Sequence, residues 1–510
     1  MNMRYGGDRV RRGLIHFGLG KVVSAGSGFV ALILVVRALS VAEFADYSVL
    51  VALIELITAF SGFGITHALL RYVPELYGRH HTTALRQFVL GALVLRSAAL
   101  LAIVLVVFAT ASTSASLIGL SGALEAFKVY LLVVVFRISS HFFSQILEST
   151  LHQAIAQIGF SATSLLRLAG MIYLTSRGAP QLVEIIWVEV LSDAVGMLIM
   201  LAGVGHVVWR AAREAPRSEE DAGWLKSHLR QIVRFALSGF AQHLVGLPFG
   251  GNTNRLVGGR MFSDVVMANF GFAHSIYEYV KRYLPAQLLV GLVRPVVVAR
   301  YSEHCDFPAA ARTCQGFALI NMVLIGAIFS GLVVGGEQLL TWVSSGKYGM
   351  DAVILLAVLL FVLALETQRL VLEMLSQTVE RYAFLIPSNL LLSLSIVPAI
   401  LMFPYWGALG FPLINALALV ISNIWVKRML STVGHNFAGS WPLTATVGLL
   451  TVISIAVGQV ASFAGIHWLA ATLVSQVIFA IAAWKLCGDE LKVFLADLMG
   501  PASVVLKENQ

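Results

Sequence analysis

The spacing of apolar residues constrains the fold of this chain more than any other feature. Long apolar runs recur throughout its 510 residues, the mean hydropathy is +0.84, and 12% of the residues are charged. About 20 consecutive apolar residues in a helix cross the hydrocarbon core of a bilayer, whereas about 25% of the residues of a soluble domain are charged. The pattern therefore excludes a soluble globular protein and predicts an all-α polytopic membrane protein.

The apolar runs predict about 14 transmembrane helices with short connections. The predicted spans are 13–37, 47–71, 86–110, 123–149, 154–176, 182–208, 232–257, 268–297, 314–341, 351–377, 383–402, 406–426, 442–463 and 467–486. The longest polar stretch, 209–231, predicts a cytoplasmic linker that ends in an interfacial amphipathic helix. We therefore divide the chain into a six-helix lobe at 1–208, the linker, a second six-helix lobe at 232–430, and two additional helices with a cytoplasmic tail at 431–510.

The lysines and arginines of the short connections predict the orientation in the membrane. The segment before the first span contains four arginines, among them Arg4, and alternate connections after it contain most of the other basic residues outside the spans. The opposite connections contain few, among them Arg177, Arg260 and Lys347. Because basic loops stay in the cytoplasm, both termini are predicted to be cytoplasmic.

Several functional classes receive no support from the sequence. The formal net charge is +8, but the lysines and arginines are scattered in small groups between the apolar runs. This distribution is typical of residues that orient a membrane protein and not of a nucleic-acid-binding surface. The cysteines Cys305, Cys314 and Cys487 lie on or near the predicted cytoplasmic side, so we expect no disulfide framework. The sequence contains no nucleophile elbow, phosphate-binding loop or metal-ligand spacing, and we predict no catalytic residues, metal or cofactor.

The two halves of the chain carry intramembrane charges in a similar order. Aligning Arg37 with Arg255 also places, after short insertions, Glu55 on Glu278 and Glu148 on Glu373. Aligned rare charges carry more weight than aligned apolar residues, which match by chance. Since each repeat has six spans, we expect halves of the same orientation, related by an axis along the membrane normal, with a central cavity. The last two helices lie outside the duplication.

Three arginines near the middle of predicted spans need a physical explanation, because a charge in hydrocarbon costs at least about 2.5–3.5 kcal/mol. They are Arg96, Arg137 and Arg167, on three different helices. Guanidinium groups bind phosphate with two parallel hydrogen bonds and stay charged, so the set predicts a cationic cavity for a phosphate-bearing headgroup. The alternative for each arginine is an ion pair with an acid on a neighbouring helix, or a side chain that extends to a backbone carbonyl.

Carboxylates in the spans are candidates for proton or ion coupling, because burial disfavours the charged form of a carboxyl group. These candidates are Glu55, Asp193, Glu278, Glu366 and Glu373. Glu366, Arg369 and Glu373 share one helix face, and Glu278 has Lys281 three residues and Arg282 four residues later. Neutralisation within the helix is the alternative for the Glu278 group.

The segment from Arg37 to Leu76 carries a distinctive set of residues, echoed in the second half by Arg255 and Arg294-Pro295: Arg37, Glu43, Tyr47, Glu55-Leu56, Gly62-Phe63-Gly64 and Arg71-Tyr72-Val73-Pro74-Glu75. In these residues the chain resembles polysaccharide flippases of the multidrug/oligosaccharidyl-lipid/polysaccharide exporter (MOP) superfamily. Two positions depart from the family pattern, since Ala45 replaces a usual glycine and Asn254 stands where aspartate is common.

The resemblance implies two six-helix lobes that rock to move an undecaprenyl-diphosphate-linked oligosaccharide across the bacterial inner membrane for surface polysaccharide synthesis. It also implies membrane lipids, a polysaccharide polymerase and a chain-length regulator as partners. We predict that the cationic substrate cavity contains Arg37, Arg96, Arg137, Arg167, Arg255 and Arg369.

Two other functions remain open on the sequence alone. A cation-coupled small-molecule exporter of the same fold would have twelve spans and fewer arginines. A membrane glycosyltransferase or polymerase would need a large external loop or paired acids at the membrane face, and the connections here are short.

Overall fold

A computed structural model of the chain describes residues 7–78, 81–214, 219–285, 287–288, 290, 297, 301, 306–379, 381, 384–437 and 441–507. Every regular element in these ranges is helical, which confirms the all-α prediction. Arg4, Arg294, Pro295 and Cys305 lie outside the described residues.

The helices belong to two compact units. The first unit ends at Leu247 and also includes Asn252–Ala268. Its main helices are α1 (Gly7–Ala38), α2 (Val41–Gly62), α3 (Ile65–Gly78), α4 (Thr82–Ala109), α5 (Ala111–Leu117), α6 (Leu124–Ser149), α7 (Gln153–Arg177), α8 (Leu182–Glu214), α9 (Glu219–Gly246) and α10 (Gly251–Met261).

The second unit comprises Pro248–Gly251 and the residues from Asn269 onward. Its helices are most of α11 (Asp264–Tyr283), α12 (Phe307–Val343), α13 (Met350–Thr378), α14 (Leu385–Leu394), α15 (Ile396–Trp406), α16 (Gly410–Thr432), α17 (Trp441–Phe463) and α18 (Trp468–Lys507). The domain boundaries at 208, 231 and 430 stay predictions.

The helices are compatible with the predicted number of spans. Within the described residues, ten helices are long and apolar enough to cross a membrane. One of them, Leu385–Thr432, comprises α14, α15 and α16 and overlaps two predicted spans, 383–402 and 406–426. The pair α9 and α10, bent by 47°, falls on the predicted span 232–257, while α6 and α11 fall on 123–149 and 268–297.

The described residues of the predicted linker lie in two helices of the first unit, since 209–214 end α8 and 219–231 begin α9. α9 runs from Glu219 to Gly246, so the segment around Trp224 is continuous with the predicted seventh span. The Trp224 ring stacks on His228 at 4.4 Å between centroids and meets the edge of Tyr72 at 6.0 Å. Trp224 and Leu225 also pack against a buried cluster that includes Leu69. The interfacial location of this segment stays a prediction.

A capping box fixes the start of α2 and ties it to α8. The Glu43 backbone N–H donates to Ser40 Oγ at 3.3 Å, and the Ser40 N–H donates back to the Glu43 carboxylate at 3.0 Å. The second carboxylate oxygen of Glu43 accepts the N–H of Leu182 at 3.2 Å, at the first turn of α8. One side chain therefore satisfies backbone donors at two helix starts.

The two C-terminal helices pack on α12 through small residues and polar contacts. Gln476 donates to Ala327 O at 3.0 Å, and Gln459 donates to Val333 O at 3.1 Å. A Cβ at Gly335 would lie 2.3 Å from Thr472 Oγ1. In lipid, where apolar burial gives little drive for association, close approach and interhelical hydrogen bonds supply the contact energy.

Candidate functional site: a buried charge cluster in the first unit

Four charged side chains from three helices meet inside the first unit. Arg137 on α6 contacts Asp193 on α8, with Nη2 to Oδ2 at 2.7 Å and Nε to Oδ2 at 3.0 Å. Its Nη2 also lies 3.0 Å from Glu189 Oε2. Arg167 on α7 places Nη2 3.1 Å from Asp193 Oδ1 and Nε 3.7 Å from Glu189 Oε1. The structure thus brings together three predicted site residues and adds Glu189; we call the four the charge cluster.

Two tyrosines complete the surroundings of the charge cluster. The Tyr47 hydroxyl, from α2, donates to Glu189 Oε1 at 2.7 Å. Tyr130 lies on α6 and is fully buried, and its hydroxyl has no hydrogen-bond partner among the described residues. Tyr47 is part of the family resemblance, whereas Tyr130 and Glu189 were not predicted from the sequence. The spacing of Glu189 and Asp193, four residues apart on one helix face, is the signal that could have identified Glu189.

The charge cluster is neutral overall and unequally accessible. Its two guanidinium and two carboxylate charges cancel, which offsets the cost of removing each ion from water. The side chains of Arg137 and Arg167 are 16% and 23% exposed, while that of Glu189 is 1% exposed. An approaching anion therefore meets the guanidinium groups before the carboxylates. Conversely, a proton or cation would compete with the guanidinium groups for the carboxylates.

Arg96 occupies a different environment in the same unit. It lies on α4, is 4% exposed, and has no carboxylate partner in the described part of the chain. Its Nη1 donates weakly to Thr58 O at 3.4 Å, near the C-terminal end of α2, while its Nε has no acceptor among these residues. The partial negative charge at a helix C-terminus is a weaker counter-charge than a carboxylate. Arg96 therefore keeps unused donor capacity.

Arg255 and Glu55 are linked through an asparagine. Asn252 on α10 donates to the Glu55 carboxylate on α2 and accepts a hydrogen bond from Arg255 Nη2. Arg255 is buried, whereas Arg37, its equivalent in the predicted duplication, is exposed on α1. The Glu55 side chain is also exposed. These residues form a second polar group in the first unit, apart from the contacts of the charge cluster.

The remaining candidates lie in the second unit. Arg369 donates to Glu373 at 2.8 Å, to Ser422 and Ser388 at 2.8 Å, and to Asn389 at 2.7 Å. Lys281 pairs with Glu366 on α13 at 2.9 Å, and Tyr277 donates to the same carboxylate at 2.8 Å. Glu278 makes no ion pair within the described residues, so Lys281 is neutralised between helices and not by Glu278.

Comparison with known proteins assigns the chain to a family. The family model described as polysaccharide biosynthesis protein matches residues 10–288, more than half of the chain. The chain belongs to this family. This finding confirms the predicted membership in the MOP superfamily. No curated protein sequence matches the chain.

Solved structures of transporters share the fold of this polysaccharide biosynthesis protein. The lipid II flippase MurJ, in its inward closed conformation, matches with a TM-score of 0.64 and 14% identity over 93% of this chain and 99% of that chain. An inward-facing multidrug resistance MATE family transporter matches with a TM-score of 0.58 and 15% identity over 80% of this chain and 95% of that chain. A variant of the Vibrio cholerae MATE transporter VcmN matches with a TM-score of 0.51 and 12% identity over 83% of this chain and 97% of that chain. The chain therefore has the fold of these multi-pass membrane transporters and flippases.

Proposed function

We propose that this protein is a flippase for an undecaprenyl-diphosphate-linked oligosaccharide in the bacterial inner membrane, with both termini in the cytoplasm. The match of residues 10–288 to the polysaccharide biosynthesis family is the observation that carries this proposal. The oligosaccharide would serve a surface polysaccharide such as O-antigen, capsule or exopolysaccharide, and transport would proceed by alternating access. The protein would have no catalytic role of its own.

The buried arginines supply the chemistry that such a substrate requires. A diphosphate presents several anionic oxygens, and a guanidinium group binds two of them at once. Arg96 has donors available without breaking an ion pair, whereas Arg137 and Arg167 would have to exchange carboxylate for phosphate. An exchange of this kind releases Glu189 and Asp193, which would then take up a proton or cation. This proposed exchange couples substrate binding to ion binding within one cluster.

The direct test is deletion of the gene in its native host. We expect lipid-linked oligosaccharide to accumulate on the cytoplasmic face of the inner membrane, because its synthesis continues while its transfer stops. Mass spectrometry of the extracted lipid would identify the sugar, and complementation with the wild-type chain would restore export. Normal surface polysaccharide after deletion, with no accumulated intermediate, would contradict the proposal.

Arg96 provides a sharper test at the level of one residue. We expect Arg96→Gln to lower export at least about tenfold, because one charge-assisted interaction with the diphosphate contributes about 1.5–3 kcal/mol. The abundance of the variant in the membrane should equal that of the wild type, since Arg96 forms no ion pair with a carboxylate among the described residues. Arg86→Gln, at an exposed arginine on the same helix, is the matched control. Export by Arg96→Gln equal to the control, at equal abundance, would remove Arg96 from the substrate site.

The alternative that the fold also supports is a cation-coupled exporter of small molecules, given the match to a MATE family transporter. It predicts cation-dependent efflux of organic cations from vesicles containing the purified protein. Efflux without any effect of deletion on lipid-linked oligosaccharide would favour this alternative.

A further inference from the structure

The second unit contains a cavity that the proposed transport chemistry does not use. It lies among α12, α13 and α16, has a volume of about 370 Å³, and is lined on its apolar side by residues such as Leu365, Leu372 and Val420. Cavities of a few hundred Å³ hold small organic groups. On α16, Val420 and Ile424 are both exposed at the molecular surface. The cavity therefore joins an apolar surface of the helix bundle.

One end of the cavity is cationic. Lys427 and Arg428, near the C-terminal end of α16, both line it, and the described residues that line it include no carboxylate. Arg428 is exposed and makes no ion pair or hydrogen bond within the described residues. The sequence predicts that this end of α16 faces the cytoplasm, where the leaflet carries anionic lipids. The charge of the cavity thus suits an anionic headgroup.

The cavity also contains a buried acceptor that needs a donor. Asn423 is 8% exposed; its Nδ2 donates to Leu365 O at 3.2 Å, but its Oδ1 has no partner among the described residues. Leaving such an atom unsatisfied costs about 1–3 kcal/mol. Gln315 and Gln368 line the same cavity without hydrogen bonds in this part of the chain. These amides favour a ligand that carries hydroxyl groups as well as negative charge.

We propose that this cavity binds the headgroup of an anionic phospholipid of the surrounding bilayer. The phosphate lies beside Lys427 and Arg428, and a headgroup hydroxyl donates to Asn423 Oδ1. The acyl chains remain in the bilayer along Val420 and Ile424. Basic pockets between transmembrane helices on the cytoplasmic side recognise lipid headgroups by this combination of charge and hydrogen bonding. The bound lipid is a constant partner of the second unit and is not the transported substrate.

Native mass spectrometry of the full-length protein in detergent tests this assignment. The probes are phosphatidylglycerol, which is anionic and has headgroup hydroxyls, and phosphatidylcholine, which is zwitterionic and has none. We expect one tightly retained phosphatidylglycerol, with affinity reduced about tenfold by Arg428→Gln and further by Arg428→Glu, and largely kept by Arg428→Lys. Lys485→Gln, at an exposed lysine of α18 that does not line the cavity, should bind as the wild type does.

Two outcomes would overturn the proposal. The first is equal retention of phosphatidylglycerol by the wild type and Arg428→Gln, or equal retention of the two probes by the wild type. Thermal unfolding without added lipid would show that the variants are folded. The second is displacement of phosphatidylglycerol by undecaprenyl diphosphate with the same sensitivity to Arg428→Gln, which would assign the cavity to the transported lipid. Neither outcome depends on export, so the flippase proposal is tested separately.

Discussion

Replacement of Glu189 by alanine is expected to remove most of the protein from the membrane. The change leaves Arg137 and Arg167 with one carboxylate between them and removes the acceptor of the Tyr47 hydroxyl. Breaking a buried ion pair by removing one partner costs about 3–5 kcal/mol, which is comparable to the 5–15 kcal/mol that stabilises a typical native protein. Membrane abundance and the thermal unfolding midpoint in detergent measure the effect.

Glu125→Ala is the matched control for this prediction. Glu125 is an exposed acid on α6, and it has no ion pair in the described part of the chain. Its loss should change stability by less than about 0.5 kcal/mol. Wild-type abundance and midpoint for Glu189→Ala would show that the charge cluster does not hold the first unit together.

A charge-neutral double variant separates the structural role of the charge cluster from a role in transport. Arg167→Gln with Glu189→Gln removes one charge of each sign, so abundance should return toward that of the wild type. If Arg167 contacts the diphosphate, export stays low although the protein is present. Recovery of export together with abundance would assign the charge cluster to folding alone.

The sequence predicted three members of the charge cluster but not which of their side chains contact each other. Arg137, Arg167 and Asp193 were identified because charges inside apolar runs are costly. The rotation and packing of α6, α7 and α8 decide which of the arginines contacts a carboxylate. Local sequence patterns do not predict this packing. Arg96 looks equivalent to the other two in the sequence, yet α4 places it beside the backbone carbonyl of Thr58 on α2.

In the second unit, too, the sequence indicates an ion pair within one helix but not an ion pair between helices. The ion pair between Arg369 and Glu373 is visible in the sequence, because residues four apart are neighbours on a helix. Glu278 and Lys281 satisfy a similar rule, but Lys281 instead reaches Glu366, 85 positions further along the chain. Helical spacing permits a pair, and tertiary packing decides which partner a long side chain takes.

The Gly62-Phe63-Gly64 motif is part of the family resemblance, and the structure gives its physical reason. α2 ends at Gly62, Phe63 has φ 44°, and Gly64 has φ 68°, so the chain passes through two left-handed residues before α3. A Cβ at Gly64 would lie 1.7 Å from Ala236 O on α9. Because that atom belongs to a helix backbone, it cannot move aside as a flexible side chain would.

We therefore expect Gly64→Ala to lower stability by about 3 kcal/mol or more, from the strain of a positive φ and the enforced separation of α9 from the turn. Gly62→Ala is the control two residues away, since its Cβ would meet only Arg96 Nη1 at 3.4 Å within a helix. Its effect should stay within about 1 kcal/mol. The thermal unfolding midpoints of Gly64→Ala and Gly62→Ala in detergent measure the difference. Equal midpoints would mean that α9 does not contact this turn closely.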